Sequence, residues 1–458
     1  MISKIIWPQA FKKGNPFGGV DGIRPIRITF HSSSFINLAS DEKEALDILM
    51  GLAILDDVDA MSFDGSVSPK IIIDHEKGGA ESIGLKVVNV EGKTIVFSSV
   101  SKSCLKPSFL AFLLGIYNSN EEEKYQSIRQ EILEAQSHGA LHRDIFITSS
   151  AFLLKNKVKL DDLNICTPRD ALKIIGLYLR TKGEFEWISH IQGNARYVTS
   201  SQNFYHLLSS GLLPCSWKYL SGIGLHDERK TLLSLGWSVL HRYSRALQAR
   251  DEIGRLFYMP NNSSTEEKMG YHFDYLTLLL TAVLDAQALI INIIYSLDLK
   301  DNDCGLRRKK FKKAIKNNPS TGKISNLLEE KSNLINILFD LRNKIHSVGL
   351  DTNFHVPISF PDDLLERIFQ YEPNDHWGVK KQNVTVITNR GNPVPSIDYS
   401  VELYSLAHNI VNEITKLINS LMMETEIEKY LDPISLPKIL HNPPADTLPF
   451  IQTYLLLS

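Results

Sequence analysis

His142–Leu179, HRDIFITSSAFLLKNKVKLDDLNICTPRDALKIIGLYL, decides the fold class of the first half of the chain. Asp144 to Thr148 (DIFIT) is a compact β-rich run, and Asn164 to Thr167 (NICT) is a second. Pro168 follows at once, where a fixed φ and a missing N–H suit the first turn of a helix. Apolar spacing then carries that helix over Arg169 to Arg180. Strands alternating with helices in this way predict a parallel sheet wrapped by helices.

The same texture continues upstream. Arg27 to Leu38 (RITFHSSSFINL) reads as a strand running into a helix start. Asp41 to Leu55 has helical spacing behind a Ser40/Asp41 cap. Lys70 to Asp74, Leu85 to Val90 and Thr94 to Ser98 are short β-rich runs, the last two joined by the turn VEGK. Phe109 to Tyr117 and Glu121 to Ser137 are expected to be helical.

Beyond about residue 200 the pattern changes to long helices: Glu228 to Tyr258, His272 to Leu299, Ile324 to Val348 and Ser400 to Tyr430. A proline-bearing insert, 351–398, separates the last two and holds a hairpin, NVTVITNRGNPV. The expected class is therefore α/β plus all-α. The expected parts are an α/β domain over 1–180, a helical connector over 181–265, a helical bundle over 266–431 and a proline-rich tail over 432–458.

Composition excludes several broad classes. At 458 residues and 51.8 kDa the chain is too long for one ordinary domain. With 43% hydrophobic and 22% charged residues it can bury a core, which excludes a wholly disordered chain. A net charge of -2 means that any polyanion-binding surface is a local patch. Cys104, Cys166, Cys215 and Cys304 lie far apart without a C-x-x-C pair, which suits a reducing compartment. MISKIIWPQAFKKG lacks the apolar core of a secretory signal, so a cytoplasmic location is expected. Leu276 to Leu297 is long enough to span a bilayer, but Asp285 near its middle favours a core helix of a bundle, with no membrane. The chain carries no Walker A loop, G-x-S-x-G elbow, H-E-x-x-H or dinucleotide fingerprint.

The densest chemistry lies in Phe339-Asp340-Leu341-Arg342-Asn343-Lys344-Ile345-His346-Ser347. On a helix Arg342 and His346 stand at i and i+4 and share a face. A histidine can move a 2′-hydroxyl proton near neutral pH, and a guanidinium can neutralise charge at phosphorus. Asn343 is a candidate for positioning the phosphate. The bland alternative has Arg342 pairing with Asp340 or Glu330 and His346 capping the helix. Just upstream, RRKKFKKAIK (Arg307 to Lys316) holds seven basic residues in ten. Arg307, Arg308, Lys309, Lys310, Lys312 and Lys313 are its candidate phosphate contacts. The alternative here is a solvated helix face with Phe311, Ala314 and Ile315 turned inward.

These C-terminal elements resemble the HEPN superfamily: a long amphipathic helix, a basic connector, a helix ending in LRNKIHS and a closing helix. The resemblance implies metal-independent RNA cleavage at Arg342, Asn343 and His346, a homodimer or larger assembly, and a setting in prokaryotic toxin or anti-phage defence. Nuclease members place four to six residues between Arg and His, whereas three separate Arg342 from His346, and Ser347 stands where some relatives have a second His.

His142 to Leu179 in turn resembles the C-terminal half of a PIN-type nuclease domain, through Asp144, Thr148, Thr167, Pro168 and Leu172. That resemblance implies a Rossmann-like sheet with a carboxylate cluster for Mg²⁺ or Mn²⁺ at its carboxyl edge. In this chain His31 and Ser150 stand where two of the acids belong. Asp144 is the one metal-ligand candidate left in place, with Asp57, Asp64 and Asp74 as substitutes that spacing does not select. Counting ligands, the N-terminal domain is expected to be a degenerate scaffold without a cofactor. The overall expectation is an RNA-directed protein, either a metal-independent ribonuclease or a non-catalytic binding scaffold.

Overall fold

The computed structural model describes residues 15–18, 24–31, 34–53, 55–62, 71–76, 82–89, 94–101, 131, 134–135, 137–139, 141–158, 160, 163–183, 185–189, 195–198, 200–221, 228–259, 263–348, 360, 362–371, 377–387 and 393–427. For 71–101, 186–198, 217, 221, 345–348 and 386–398 the description is of backbone alone. The chain divides into two units, one over Ser3–Tyr197 and one over Val198–Gln452, apart from terminal residues outside those described.

In the N-terminal unit the elements run β1 (Ile26–Phe30), α1 (Ser40–Leu52), β2 (Val58–Ser62), β3 (Ile71–Glu76), β4 (Ser82–Asn89), β5 (Thr94–Ser101) and β6 (Ile145–Ile147). They continue with α2 (Ala151–Lys155), β7 (Ile165–Cys166), α3 (Pro168–Lys182) and the small pair β8 (Glu186–Ser189) and β9 (Ala195–Val198). Seven strands form one sheet in the order β5-β4-β3-β2-β1-β6-β7. All pairs from β3 to β7 are parallel, and β4 and β5 extend the edge antiparallel. The chain thus starts in the middle at β1, moves outward through β2 and β3, then returns to the other side of β1 as β6. That is the doubly wound pattern, with its switch point between β1 and β6.

Local chemistry accounts for these elements. Ile26, Ile28 and Phe30 are fully buried with Ile145, Phe146 and Ile147, as central parallel strands covered on both faces require. Helix α3 is capped by Thr167, whose side chain accepts from the Asp170 N–H. Pro168 opens the helix, and Gly183 ends it at φ +90, a left-handed conformation that favours glycine. The Glu42 side chain accepts from the Arg169 N–H at 2.9 Å, joining the first turns of α1 and α3. The expected helix at Phe109 to Tyr117 lies outside the described residues. The described residues between 131 and 139 are helical, as the end of the second expected helix requires.

The C-terminal unit contains α4 (Ser201–Leu212), α5 (Ser216–Ser221), α6 (Arg229–Phe257), α7 (Ser263–Ile294), α8 (Lys309–Asn317), α9 (Gly322–Glu330), α10 (Ser332–Val348), α11 (Asp362–Tyr371), β10 (Val379–Ile387), β11 (Pro393–Val401) and α12 (Leu403–Glu424). Helices α4, α7 and α12 pack on α6, and α10 packs on α7. Helices α4, α5 and α6 lie in the stretch expected to be a connector, and within this unit α4 and α5 pack on α6. Helix α7 is long and apolar enough to cross a membrane, yet 67% of its apolar window is buried within the protein. Gln287, in its middle, is fully buried and donates to the Tyr219 hydroxyl at 3.1 Å.

The single helix expected over Ile324 to Val348 is two helices, broken at Lys331. From Glu329 to Asn333 the sequence EEKSN offers no apolar side chain to hold the backbone against the bundle, so the chain re-aims before Leu334. Within the insert, β10 and β11 form the expected antiparallel hairpin. Gly378, at φ +72, sits so close to the first turn of α12 that a Cβ would come within 2.6 Å of the Glu402 carbonyl oxygen. The Gly378 carbonyl in turn accepts from the Glu402 N–H at 2.7 Å. The expected tail, 432–458, lies outside the described residues.

Candidate nucleic-acid interface

Three arginines from separate parts of the C-terminal unit act electrostatically on one acid. Asp285 sits half-buried on α7. Burial pushes its carboxyl above the usual carboxylate range, while Arg342, Arg308 and Arg242, in that order, pull it back. Arg342 comes from α10. Arg308 comes from a turn closed by its own N–H donating to the Gly305 carbonyl at 2.8 Å. Gly305 lies between the two side chains: a Cβ there would lie 3.3 Å from Arg308 Cγ and 3.6 Å from Asp285 Oδ1, a slightly tight and an ordinary contact. Arg242 reaches across from α6 to donate to the Ala282 carbonyl at 3.1 Å, one turn before Asp285 on α7. Three arginines act on Asp285, while Asp301 and Asp303 face the neighbouring Cys304, so positive charge suited to a phosphate lies on the arginine side of this turn.

Around this cluster the basic run divides into distinct roles. Arg307 pairs with Asp340 at 2.6 Å, and Arg367 of α11 grips the other oxygen of the same carboxylate at 2.6 Å. The acid proposed as the bland partner of Arg342 is thus engaged by two other arginines, and Glu330 lies beside Lys331. Lys310 pairs with Asp303 at 2.8 Å. Lys309 and Lys313 are exposed and Lys312 is half-buried. Phe311 and Ile315 are buried, as the amphipathic alternative requires, while Ala314 is half-buried. The run is therefore a helix anchored by its apolar side, with Arg307 and Arg308 at its start beside α10.

Asn343 is exposed on α10. The α10 backbone is helical through Val348, which keeps Arg342 and His346 one turn apart along the same helix. The side chain of His346 lies outside the described residues. Sequence reasoning missed Arg242. Its signal was available: between Trp187 and Arg250 the chain contains only two acids, Asp227 and Glu228, so the arginines of α6 meet few local counter-ions.

The N-terminal unit treats its predicted residues differently. Asp144 lies at the amino edge of β6, opposite the end where a doubly wound sheet receives ligands. It is fully buried, takes both prongs of Arg24 at 2.6 Å each, and accepts from the Arg27 N–H at 2.8 Å. Its negative charge is thus committed to Arg24, and most of its lone-pair sites are taken. Asp57 pairs with Lys182. Asp64 and the Asp74 side chain lie outside the described residues.

At the carboxyl edge, the switch point holds a hydrogen-bonded cluster built around His31. His31 Nδ1 stands 2.8 Å from the Thr148 hydroxyl, its Nε2 stands 3.3 Å from Glu134, and its ring stacks on Phe146. Ser34 bonds to Thr148 at 3.2 Å and to the Ser149 N–H at 3.0 Å. Ser150 caps α2 and donates to Glu131. His31 thus ties the end of β1 to the end of β6, while Ser150 ties the start of α2 to Glu131. Among the described residues no group of three or more His, Cys, Asp or Glu side chains is placed to hold a metal ion, so the described residues do not fit a divalent-metal centre.

Comparison with protein-family models, with curated proteins and with solved structures finds no match for this chain.

Proposed function

We propose that the protein acts on RNA through its C-terminal unit, read as a HEPN-like bundle, and cleaves it without a metal. The observation that carries this reading is the convergence of Arg342, Arg308 and Arg242 on Asp285, which links the basic run to the Arg/His helix. In this reading Arg342 binds the scissile phosphate, held in place by Asp285 behind it. His346 takes the 2′-hydroxyl proton as that oxygen attacks phosphorus, and the 5′ oxygen leaves. The departing oxygen needs a proton. In the homodimer that the resemblance implies, two copies would supply one imidazole for each transfer. Asn343, exposed beside Arg342, is assigned to hydrogen-bond the ribose or a non-bridging oxygen.

The N-terminal unit is assigned as a PIN-like scaffold without metal chemistry, supported by its doubly wound strand order and by the commitment of Asp144 to Arg24. A toxin or anti-phage role in the cytoplasm is the setting these resemblances suggest.

A second reading, a binding module without turnover, is favoured by one observation. Asp285 neutralises part of the charge facing Arg342, which positions the arginine whether or not cleavage follows. Purified full-length protein separates the two. Cleavage of single-stranded RNA in EDTA, abolished by His346→Ala and by Arg342→Ala, supports the nuclease. Binding without cleavage, weakened by Arg342→Ala but not by His346→Ala, supports the module. Absence of both overturns the RNA assignment.

A further inference from the structure

Helix α6 presents a second feature that the phosphate cluster does not use. Lys230, Ser234, Trp237, His241, Arg245 and Gln248 recur at three- and four-residue steps and are all exposed, so they form one face. Trp237 is 43% exposed, which is unusual for so large an apolar side chain. It does not stand alone. His206 of α4 stacks on it with centroids 5.5 Å apart and planes within 16°. His241 lies 5.8 Å from it and 5.5 Å from His206. Burial, with His241 second, holds the His206 imidazole below its ordinary range, which favours a neutral, stackable ring.

The surroundings select the occupant. Helix α4 carries no charged residue, and α6 carries none that is acidic until Asp251. The exposed face is therefore aromatic and cationic with no negative counterpart within it. A ring platform flanked by Lys230 and Arg245 matches a flexible polyanion whose units have flat faces. The path also continues: Arg242, the neighbour of His241, turns to the Ala282 carbonyl and the Asp285 cluster. Arg242 stands five positions after Trp237, a rise of roughly 7.5 Å and a turn of about 140° around the helix axis, so a strand lying on the exposed face would bend around α6 to reach it.

We infer that the His206–Trp237–His241 ring cluster is a base-stacking platform for single-stranded RNA, with Lys230 and Arg245 holding the flanking phosphates. This rests on the RNA reading above and adds how the strand is held next to the arginine cluster. It predicts preference for unpaired RNA, because a duplex keeps its bases stacked inside and cannot offer a face to Trp237.

The test is fluorescence anisotropy on the full chain, using a fluorescein-labelled oligouridylate and a labelled RNA duplex of equal length. Trp237→Ala should weaken oligouridylate binding about ten-fold or more and leave duplex binding unchanged. Trp237→Phe should restore most of the loss, and Arg245→Ala should lower the salt dependence of single-strand binding. The exposure of Trp237 means that both tryptophan variants should fold, checked by circular dichroism. Oligouridylate binding that is unchanged in Trp237→Ala but lost in Arg342→Ala overturns the platform and leaves the RNA reading standing. If wild-type protein binds neither probe, both fall. If Trp237→Ala instead alters only the sedimentation of the chain, the face is a protein interface and the platform is wrong.

Discussion

Asp144→Asn is the most informative single change in the N-terminal unit. The carboxylate is fully buried and Arg24 is 5% exposed, and the two are joined by paired 2.6 Å contacts. The substitution removes the negative charge while keeping the shape, which leaves the guanidinium buried without its counter-charge. Breaking one partner of such a pair costs about 3–5 kcal/mol, because the survivor cannot recover its hydration. For a unit of this size each kcal/mol lowers the melting temperature by roughly 2–4 °C, so a loss on the order of 6–20 °C is expected in thermal unfolding followed by circular dichroism. Arg24→Met should cost a similar amount, and the double variant Arg24→Met with Asp144→Leu should cost less than the two singles added together. Addition of Mg²⁺ should shift neither the wild type nor the variants. The reasoning fails if Asp144→Asn melts at or above the wild-type temperature, or if Mg²⁺ stabilises the wild type and Asp144→Asn abolishes that shift. Either outcome would return Asp144 to a metal site.

Asp285→Asn should tighten oligouridylate binding at low salt and steepen the salt slope by up to about 0.7, since three arginines then face the phosphate unopposed; an unchanged slope would separate the arginine cluster from RNA binding. The His138 imidazole is held at about 3, by burial first and Arg143 second, against 6.5 when exposed. Its folded value is depressed, so its contribution to stability is complete above about 6.5 and is lost as pH falls toward 3, at up to about 1.4 kcal/mol per pH unit. His138→Gln should flatten that acid limb in melting curves taken across the range, and an unaltered limb would assign it to other groups. Asp274 is pushed up to about 6 by burial, so its contribution is complete below 3.8 and lost as pH rises through 6. Asp274→Asn should therefore stabilise the protein above pH 6 by about 1 kcal/mol once solvent screening is allowed for, read as a higher melting temperature, and should have no such benefit near pH 4.

Much of the fold was legible because local signals agreed with one another. Thr167, Pro168 and Gly183 bracket α3 as a cap, a first-turn proline and a left-handed stop, and the helix runs between them. Strand β2, VDAMS, was missed because Asp59 and Ser62 break the apolar run. In the sheet Asp59 pairs with Arg143 while Ser62 is buried, a long-range arrangement that no local pattern announces. The same limit applies to the sites. Arg342 and the basic run were readable as chemistry. That Asp340 would engage Arg307 and Arg367 instead of Arg342 depends on side chains from three separate parts of the chain meeting in space. Asp144 shows the converse: a motif position matched while the partner that fixes its role, Arg24, lay 120 residues away.

The joint at Gly378 has a practical corollary. The hairpin β10–β11 is fastened at its root, where Gly378 nests against the start of α12 and Glu402 caps that helix through the Tyr404 and Ser405 N–H groups. The clamp sits at the Val379 and Val401 ends of the two strands, so a small reporter grafted between Ile387 and Pro393 is a full strand length from the mounting and leaves it undisturbed. Replacing Gly378 itself would unseat the mounting, and with it the first turn of the helix that closes the bundle.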